Sequence, residues 1–144
     1  YRGFSNKDKK GSMVKEGNFS TTKKYYDYLS QLMDFHEKNN VLGNIKKHLL
    51  VKGDVRKTVP TFFKKNLHTQ IALAYFDLAL YEPTKICLKY IKPRLFSGSI
   101  IVLDEFNEPN SPGESIAFRE IFNKDEFTIQ ESKFIRDRTI IRIK

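Results

Sequence analysis

The chain has 144 residues, 40% of them hydrophobic and 13% aromatic, which is enough apolar material to bury one core. This content argues against a wholly disordered chain. No run approaches the roughly 18 to 20 uncharged apolar residues that a membrane-spanning helix needs. We therefore expect one globular domain over residues 1–144, with no membrane-spanning helix.

The formal net charge is +9, which raises the question of a nucleic-acid partner. Residues 1–68 hold 15 Lys and Arg against 6 Asp and Glu, whereas residues 69–144 hold 11 of each. The basic residues of the first half are scattered in pairs, which is more typical of solvated surfaces than of a nucleic-acid footprint. Nucleic-acid binding is therefore not favoured, although the basic first half keeps it as a third hypothesis.

A single cysteine, Cys87, excludes both an intramolecular disulfide and a cysteine-based metal site. It fits a reducing compartment, and we expect a cytoplasmic protein. Packing is the simplest role for this side chain.

The first half of the chain predicts two helices and one strand. Residues 23–38 have apolar positions at helical spacing and follow candidate N-cap residues at 20–22. Residues 48–54 have the pattern of a short strand that runs into a turn. Thr58 before Pro60 predicts a second helix over 60–65, because proline is tolerated in a first turn.

The second half alternates strands and helices and then ends in a hairpin. The apolar runs at 71–77 and 99–105 are typical of strands buried in a parallel sheet. Glu82-Pro83-Thr84 begins a helix after the first run. The capping-box pattern Ser111-Pro112-Gly113-Glu114 begins another, which ends near Asn123. The β-type segments at 126–130 and 139–143 are too close together for a crossover helix, so we expect them to pair antiparallel.

This order predicts an α/β fold with a mostly parallel sheet and an antiparallel C-terminal hairpin. All three predicted parallel strands end in acid, at Asp54, Asp77 and Asp104-Glu105. Ligands bind beyond the carboxyl ends of such strands, and clustered carboxylates suit a hard cation such as Mg²⁺ or the hydroxyl groups of a sugar or nucleoside. The alternative is that each acid only caps the helix that follows it.

Four segments of the chain form a recognisable set: 53–60, 76–84, 97–106 and 112–115. In order and spacing they resemble the S-adenosylmethionine-dependent sugar O-methyltransferases of the macrocin type, and the stretch Leu80 to Thr84 is the most specific. Arg2-Gly3-Phe4 also resembles the stretch that follows the second strand in that family.

The resemblance implies a Rossmann-like methyltransferase in which a divalent metal, usually Mg²⁺, orients a sugar diol while an acidic base takes the proton from the attacking hydroxyl. Asp77, Asp104 and Glu105 fall on the metal-ligand positions. Asp54 falls on a position that commonly contacts the adenine of the cofactor, with Val55 beside the ring.

Two departures from the family pattern limit this reading. The position of the proposed base holds Ala79, which cannot accept a proton, and His68 and Glu114 are the candidate substitutes. No Gly-x-Gly spacing occurs among the seven glycines, so the cofactor loop and the N-terminal strands of the fold are expected to be missing and the intact protein to be longer.

The leading function is therefore an S-adenosylmethionine- and Mg²⁺-dependent O-methyltransferase acting on a sugar or similar hydroxylated metabolite. The alternative is a related binding or assembly module that keeps the fold and has lost the chemistry, which Ala79 favours. The sequence names neither the acceptor nor the catalytic base, and it leaves a homo-oligomer open.

Overall fold

The computed structural model describes residues 4–8, 15–18, 20–135 and 138–144. These residues form four helices, a short 3₁₀ turn at Lys92–Arg94 and four strands. The helices are α1 (Tyr25–Lys38), α2 (Val55–Lys65), α3 (Tyr81–Ile91) and α4 (Gly113–Ile121). The strands are β1 (Leu73–Phe76), β2 (Ile100–Leu103), β3 (Phe127–Glu131) and β4 (Thr139–Ile143).

The four strands form one mixed sheet in the order β1-β2-β4-β3. β1 and β2 are parallel, with Phe76 opposite Leu103, while β4 lies antiparallel between β2 and β3. The predicted hairpin is confirmed. The sheet is not mostly parallel as expected, since one of its three pairings is parallel and two are antiparallel.

One face of the sheet carries the hydrophobic core. Buried side chains from the sheet pack with buried residues of α3 and α4. Phe118 of α4 lies at the centre, stacked on Phe122 at 4.7 Å between ring centroids and edge-on to Phe127 at 4.9 Å. The sheet residues of this core are Phe76, Ile101, Leu103 and Ile141.

The opposite face is less covered, and its residues alternate with the core residues along each strand. Leu73 and Tyr75 of β1 are 62% and 56% exposed. β1 is also an edge strand among the described residues, because its sheet partner is β2 alone. This face of the sheet therefore exposes apolar surface, and no other strand in the described part of the chain pairs with the outer edge of β1.

The predicted strand at 48–54 is wrong. The segment runs without regular structure and ends at Asp54, where α2 begins. A strand needs a neighbour for its backbone hydrogen bonds, and none of the described strands lies against this segment. With one predicted parallel strand lost, the sheet keeps a single parallel pair.

α2 also begins earlier than predicted. Its N-cap is Asp54, whose side chain accepts a hydrogen bond from the backbone N–H of Arg56, so Pro60 lies inside the helix instead of in its first turn. No helix in the described part of the chain is long and apolar enough to cross a membrane.

Candidate functional site

Two acidic residues lie at the same edge of the sheet, directly after the ends of β1 and β2. These strands are parallel, and their last residues, Phe76 and Leu103, are paired. Asp77 follows β1 and is exposed, while Asp104 follows β2 and is largely buried. Glu105 comes next along the chain. We call Asp77, Asp104 and Glu105 the acidic edge; its placement at the carboxyl ends of parallel strands is as the sequence predicted.

Asp104 is already engaged within the protein. It accepts a hydrogen bond of 2.6 Å from the hydroxyl of Tyr75 and forms an ion pair with the guanidinium of Arg138, just before β4. The hydrogen bond to Asp104 raises the pKa of the Tyr75 hydroxyl above its usual value. Any cation that uses Asp104 therefore competes with Arg138.

Glu105 is a partly buried carboxylate next to two others. Burial raises the pKa of its carboxyl, the nearby Ser111 hydroxyl opposes that rise, and the negative charges of Asp104, Asp77 and Glu108 raise the pKa further. Its Oε2 atom is buried and lacks a hydrogen-bond partner among the residues described. A buried carboxylate oxygen of this kind, beside two other carboxylates, suits a hard cation.

The acidic edge does not form a compact three-ligand cage. Among the described residues, the one group of three such ligands within 4.8 Å of one another is Asp34, Glu37 and His48. The acidic edge thus has the donor chemistry for Mg²⁺, including an orphaned oxygen, with ligand atoms spread more widely than in a closed site.

The position of the family's base holds Ala79, which is 4% exposed and has a φ of 59°. This left-handed conformation is uncommon for alanine and better suited to Gly, Asn or Asp. The loop between β1 and α3 therefore adopts a shape for which Asp would be a more natural residue than the alanine present.

Neither His68 nor Glu114, the two candidate substitutes, is positioned to act as a base at the acidic edge. His68 is exposed in the connection between α2 and β1, at the amino end of β1 and thus away from the acidic edge. Glu114 has no exposed surface. Its carboxylate accepts backbone hydrogen bonds from Leu78, Ala79 and Glu105, so it faces the interior of the protein and not a substrate.

The predicted capping box at the start of α4 is not formed. α4 has Pro112 at its N-cap and no side-chain cap, so Ser111 and Glu114 do not exchange the expected hydrogen bonds with the helix start. Burial raises the pKa of the Glu114 carboxyl to about 7, against the opposing effect of its three backbone donors. The sequence pattern marked a helix start but not the contacts that Glu114 makes.

Asp54 and Val55, the expected cofactor contacts, lie at the start of α2. The Asp54 carboxylate is held by the Arg56 guanidinium, which lowers the pKa of that carboxyl to about 2. Of the acids predicted at the three strand ends, Asp54 caps the helix after it, because its side chain accepts the backbone N–H of Arg56. Asp77 and Asp104 cap no helix, since α3 and α4 both begin without a side-chain cap.

Val55 lines an apolar cavity of about 350 Å³ between α2, α3 and the segment before α2. Val59, Phe62 and Cys87 line the same cavity. Burial raises the pKa of the Cys87 thiol to about 12, so the thiol stays protonated near neutral pH. Cys87 belongs to the buried hydrophobic core, in keeping with a packing role.

The segment 4–8 packs against α3 and α4. Asp8 accepts a 2.8 Å hydrogen bond from the backbone N–H of Tyr81, the first residue of α3. Lys7 binds Glu120 of α4 and the hydroxyl of Tyr81. Of the resembling stretch Arg2-Gly3-Phe4, Arg2 and Gly3 lie outside the described residues.

Sequence reasoning missed the group formed by Asp34, Glu37 and His48. The two acids share one face of α1 at i and i+3, but His48 reaches them only through the fold. The Lys46 ammonium lies 2.7 Å from Asp34 Oδ1 and 2.9 Å from His48 Nε2. Lys46 thus supplies the positive charge that this group requires.

Two solved structures are similar to the chain over most of its length. The crystal structure of CalS11, a calicheamicin methyltransferase, aligns with 96% of the chain at 38% identity and a TM-score of 0.89. The apo structure of CalS11, described as a TDP-rhamnose 3'-O-methyltransferase of calicheamicin biosynthesis, aligns with 86% at 41% identity and a TM-score of 0.79. The chain is a relative of a sugar O-methyltransferase.

These matches confirm the family resemblance and the Rossmann-like fold, of which the chain carries a part. The chain spans about half of that relative, 55% and 54% of the two solved chains. No protein-family model matches it, and no curated protein does.

Proposed function

We propose that this protein is an S-adenosylmethionine-dependent and Mg²⁺-dependent O-methyltransferase acting on a sugar hydroxyl. The observation that carries the proposal is the relationship to CalS11 at 38% identity over 96% of the chain. The acidic edge supports it, because three carboxylates follow the two parallel strands and one of them, Glu105, is partly buried beside the other two.

Asp77, Asp104 and Glu105 would hold Mg²⁺, and Asp54 and Val55 would face the adenine of S-adenosylmethionine. Bound at this edge, the metal would lower the pKa of a coordinated sugar hydroxyl, and the cofactor would supply the methyl group. The acceptor class we propose is a nucleotide-linked deoxysugar, the class that the description of CalS11 names. The single buried thiol suits a cytoplasmic location.

The chain's own residues have two tasks in this proposal. The acidic edge binds and orients the acceptor through the cation, and contacts with Tyr75 and Arg138 hold the Asp104 carboxylate in place. Among the described residues, neither His68 nor Glu114 is placed to replace the base that Ala79 lacks. A positioned general base is worth about 10²- to 10⁴-fold in rate, so we expect slow turnover.

The test is calorimetric titration of Mg²⁺ into the intact protein, with and without S-adenosylmethionine. We expect Asp77→Ala to weaken Mg²⁺ binding, and the matched control Asp125→Ala, an exposed loop acid, to leave it unchanged. Absence of Mg²⁺ binding, or equal binding by both variants, would refute the metal site.

A binding or assembly module is the second candidate function, and Ala79 is the observation that favours it. Replacing Ala79 with Asp distinguishes the two, because a φ of 59° accommodates Asp. A rise in methyl transfer to a TDP-deoxysugar supports the enzyme and assigns the base position. If neither protein transfers methyl groups, the module is favoured; if both transfer equally, position 79 is not the base.

A further inference from the structure

Glu114 connects the two loops that carry the acidic edge. Its Oε1 atom accepts hydrogen bonds from the backbone N–H groups of Leu78, at 3.0 Å, and Ala79, at 3.1 Å. Its Oε2 atom accepts one from the backbone N–H of Glu105, at 3.3 Å. The first two donors directly follow Asp77, and the third belongs to the residue after Asp104.

A fully buried carboxylate is costly unless every oxygen finds donors. Glu114 has no exposed surface, and no Lys, Arg or His side chain is found bound to it among the described residues. Its partners are backbone groups from two loops that are 26 or more residues apart in sequence. The side chain therefore stabilises one particular spacing of those loops.

The residues on either side of Glu114 make the same connection. A Cβ at Gly113 would lie 2.5 Å from the backbone nitrogen of Tyr81 and 2.7 Å from the carbonyl oxygen of Ala79, so glycine lets α4 approach the first loop closely. Ser115 Oγ accepts a 2.6 Å hydrogen bond from the backbone N–H of Asn107 in the second loop. The first turn of α4 thus fits against both loops at once.

We propose that Glu114 is a positioning residue, which fixes the distance between Asp77 on one loop and Asp104 and Glu105 on the other, the distance on which cation binding at the acidic edge depends. The role of the cation in this proposal rests on the proposed function. The connection that Glu114 makes between the loops is independent of it. Glutamine cannot replace Glu114, because its amide group would place a donor against the N–H of Glu105 or against those of Leu78 and Ala79.

The test compares Glu114→Gln with Glu108→Gln in the intact protein. Glu108 is a matched control, since its charge also acts on Glu105 while its carboxylate binds only Asn110 among the hydrogen bonds described. Amide hydrogen exchange without metal, measured above pH 7 where the Glu114 carboxyl is ionised, reports on the connection itself. In Glu114→Gln we expect exchange at one or both loops to accelerate about tenfold or more, because a hydrogen bond to a charged group is lost.

Calorimetric Mg²⁺ titration gives the second measurement. We expect Glu114→Gln to weaken Mg²⁺ binding about tenfold and Glu108→Gln to change it no more than about threefold. Unchanged exchange at Leu78, Ala79 and Glu105, or equal loss of Mg²⁺ affinity in the two variants, would overturn the positioning role. If the parent binds no Mg²⁺ while exchange still accelerates in Glu114→Gln, the connection stands and the proposed metal function fails.

If Glu114→Gln does not fold, the connection can be measured directly in the parent protein. The amides of Leu78, Ala79 and Glu105 should then exchange much more slowly than in an unstructured peptide. Exchange at the unstructured rate would overturn the proposal, since those hydrogen bonds would not be present.

Discussion

The carboxylate of Asp8 accepts a hydrogen bond from the backbone N–H of Tyr81, which follows it by 73 residues. The contact satisfies one of the free N–H groups at the start of α3, where the N-cap residue Leu80 has no side chain able to do so. The most specific stretch of the family resemblance, Leu80 to Thr84, is thus held in place by the segment 4–8.

Replacing Asp8 with Ala should lower the free energy of unfolding by about 1 kcal/mol, the usual value of a lost helix cap. Asp8→Asn should retain most of the stability, because its amide oxygen still accepts the Tyr81 N–H. Urea denaturation followed by circular dichroism measures both. Asp125→Ala, at an exposed loop position, serves as the control; a loss as large as that of Asp8→Ala would contradict the capping role.

Glu120 should contribute to acid stability. Hydrogen bonds from Lys7 and Lys85 lower the pKa of its carboxyl to about 2, from the usual value of 4.5. Because the folded pKa lies below the unfolded one, this contribution is fully present above pH 4.5 and is lost as the pH falls toward 2. Glu120→Gln should therefore be less stable than the parent at pH 6, and the difference should vanish near pH 2.

The measurement for Glu120 is a series of thermal melts between pH 2 and 6. Glu131→Gln, at an exposed position in β3, is the control and should follow the parent throughout. A constant difference between Glu120→Gln and the parent across this range would show that the ion pairs are not the cause.

Replacing Ala79 with Gly should stabilise the protein by about 0.5 to 1 kcal/mol. A left-handed alanine costs about 1 to 2 kcal/mol, and the greater freedom of glycine in the unfolded chain offsets part of the gain. Equilibrium denaturation measures the change. A destabilised variant would show that the buried methyl group of Ala79 matters more than the backbone strain at φ 59°.

Arg138 should compete with a metal for Asp104. In Arg138→Met, Asp104 loses its charged partner, so we expect a lower melting temperature without metal and a larger upward shift on adding Mg²⁺ than in the parent. Arg142→Met removes the same charge from an exposed position on β4 and should behave like the parent. Equal shifts in all three proteins would argue against Mg²⁺ at Asp104.

The local sequence predicted the elements whose patterns are self-contained. The apolar runs before Asp77 and Asp104 gave the two parallel strands, and their shared direction placed both acids at one edge of the sheet. The hairpin followed from the short connection between two β-type segments. In these cases spacing along the chain is enough to determine the structure.

The failures concern features that depend on partners distant in sequence. The segment 48–54 has a strand pattern but no strand beside it. Glu114 fits a capping box by spacing, yet its oxygens bind loops that only the folded chain brings near. His48 likewise joins Asp34 and Glu37 through tertiary structure, which spacing alone cannot show.

The less covered face of the sheet and the free edge of β1 affect how the protein behaves in solution. An edge strand with exposed Leu73 and Tyr75 can pair with a strand of another molecule, and the apolar surface around it favours self-association. Preparations of these 144 residues should bind hydrophobic dyes and self-associate as their concentration rises, unless another polypeptide shields β1. Dilute samples and a charged substitution at Leu73 are the corresponding remedies.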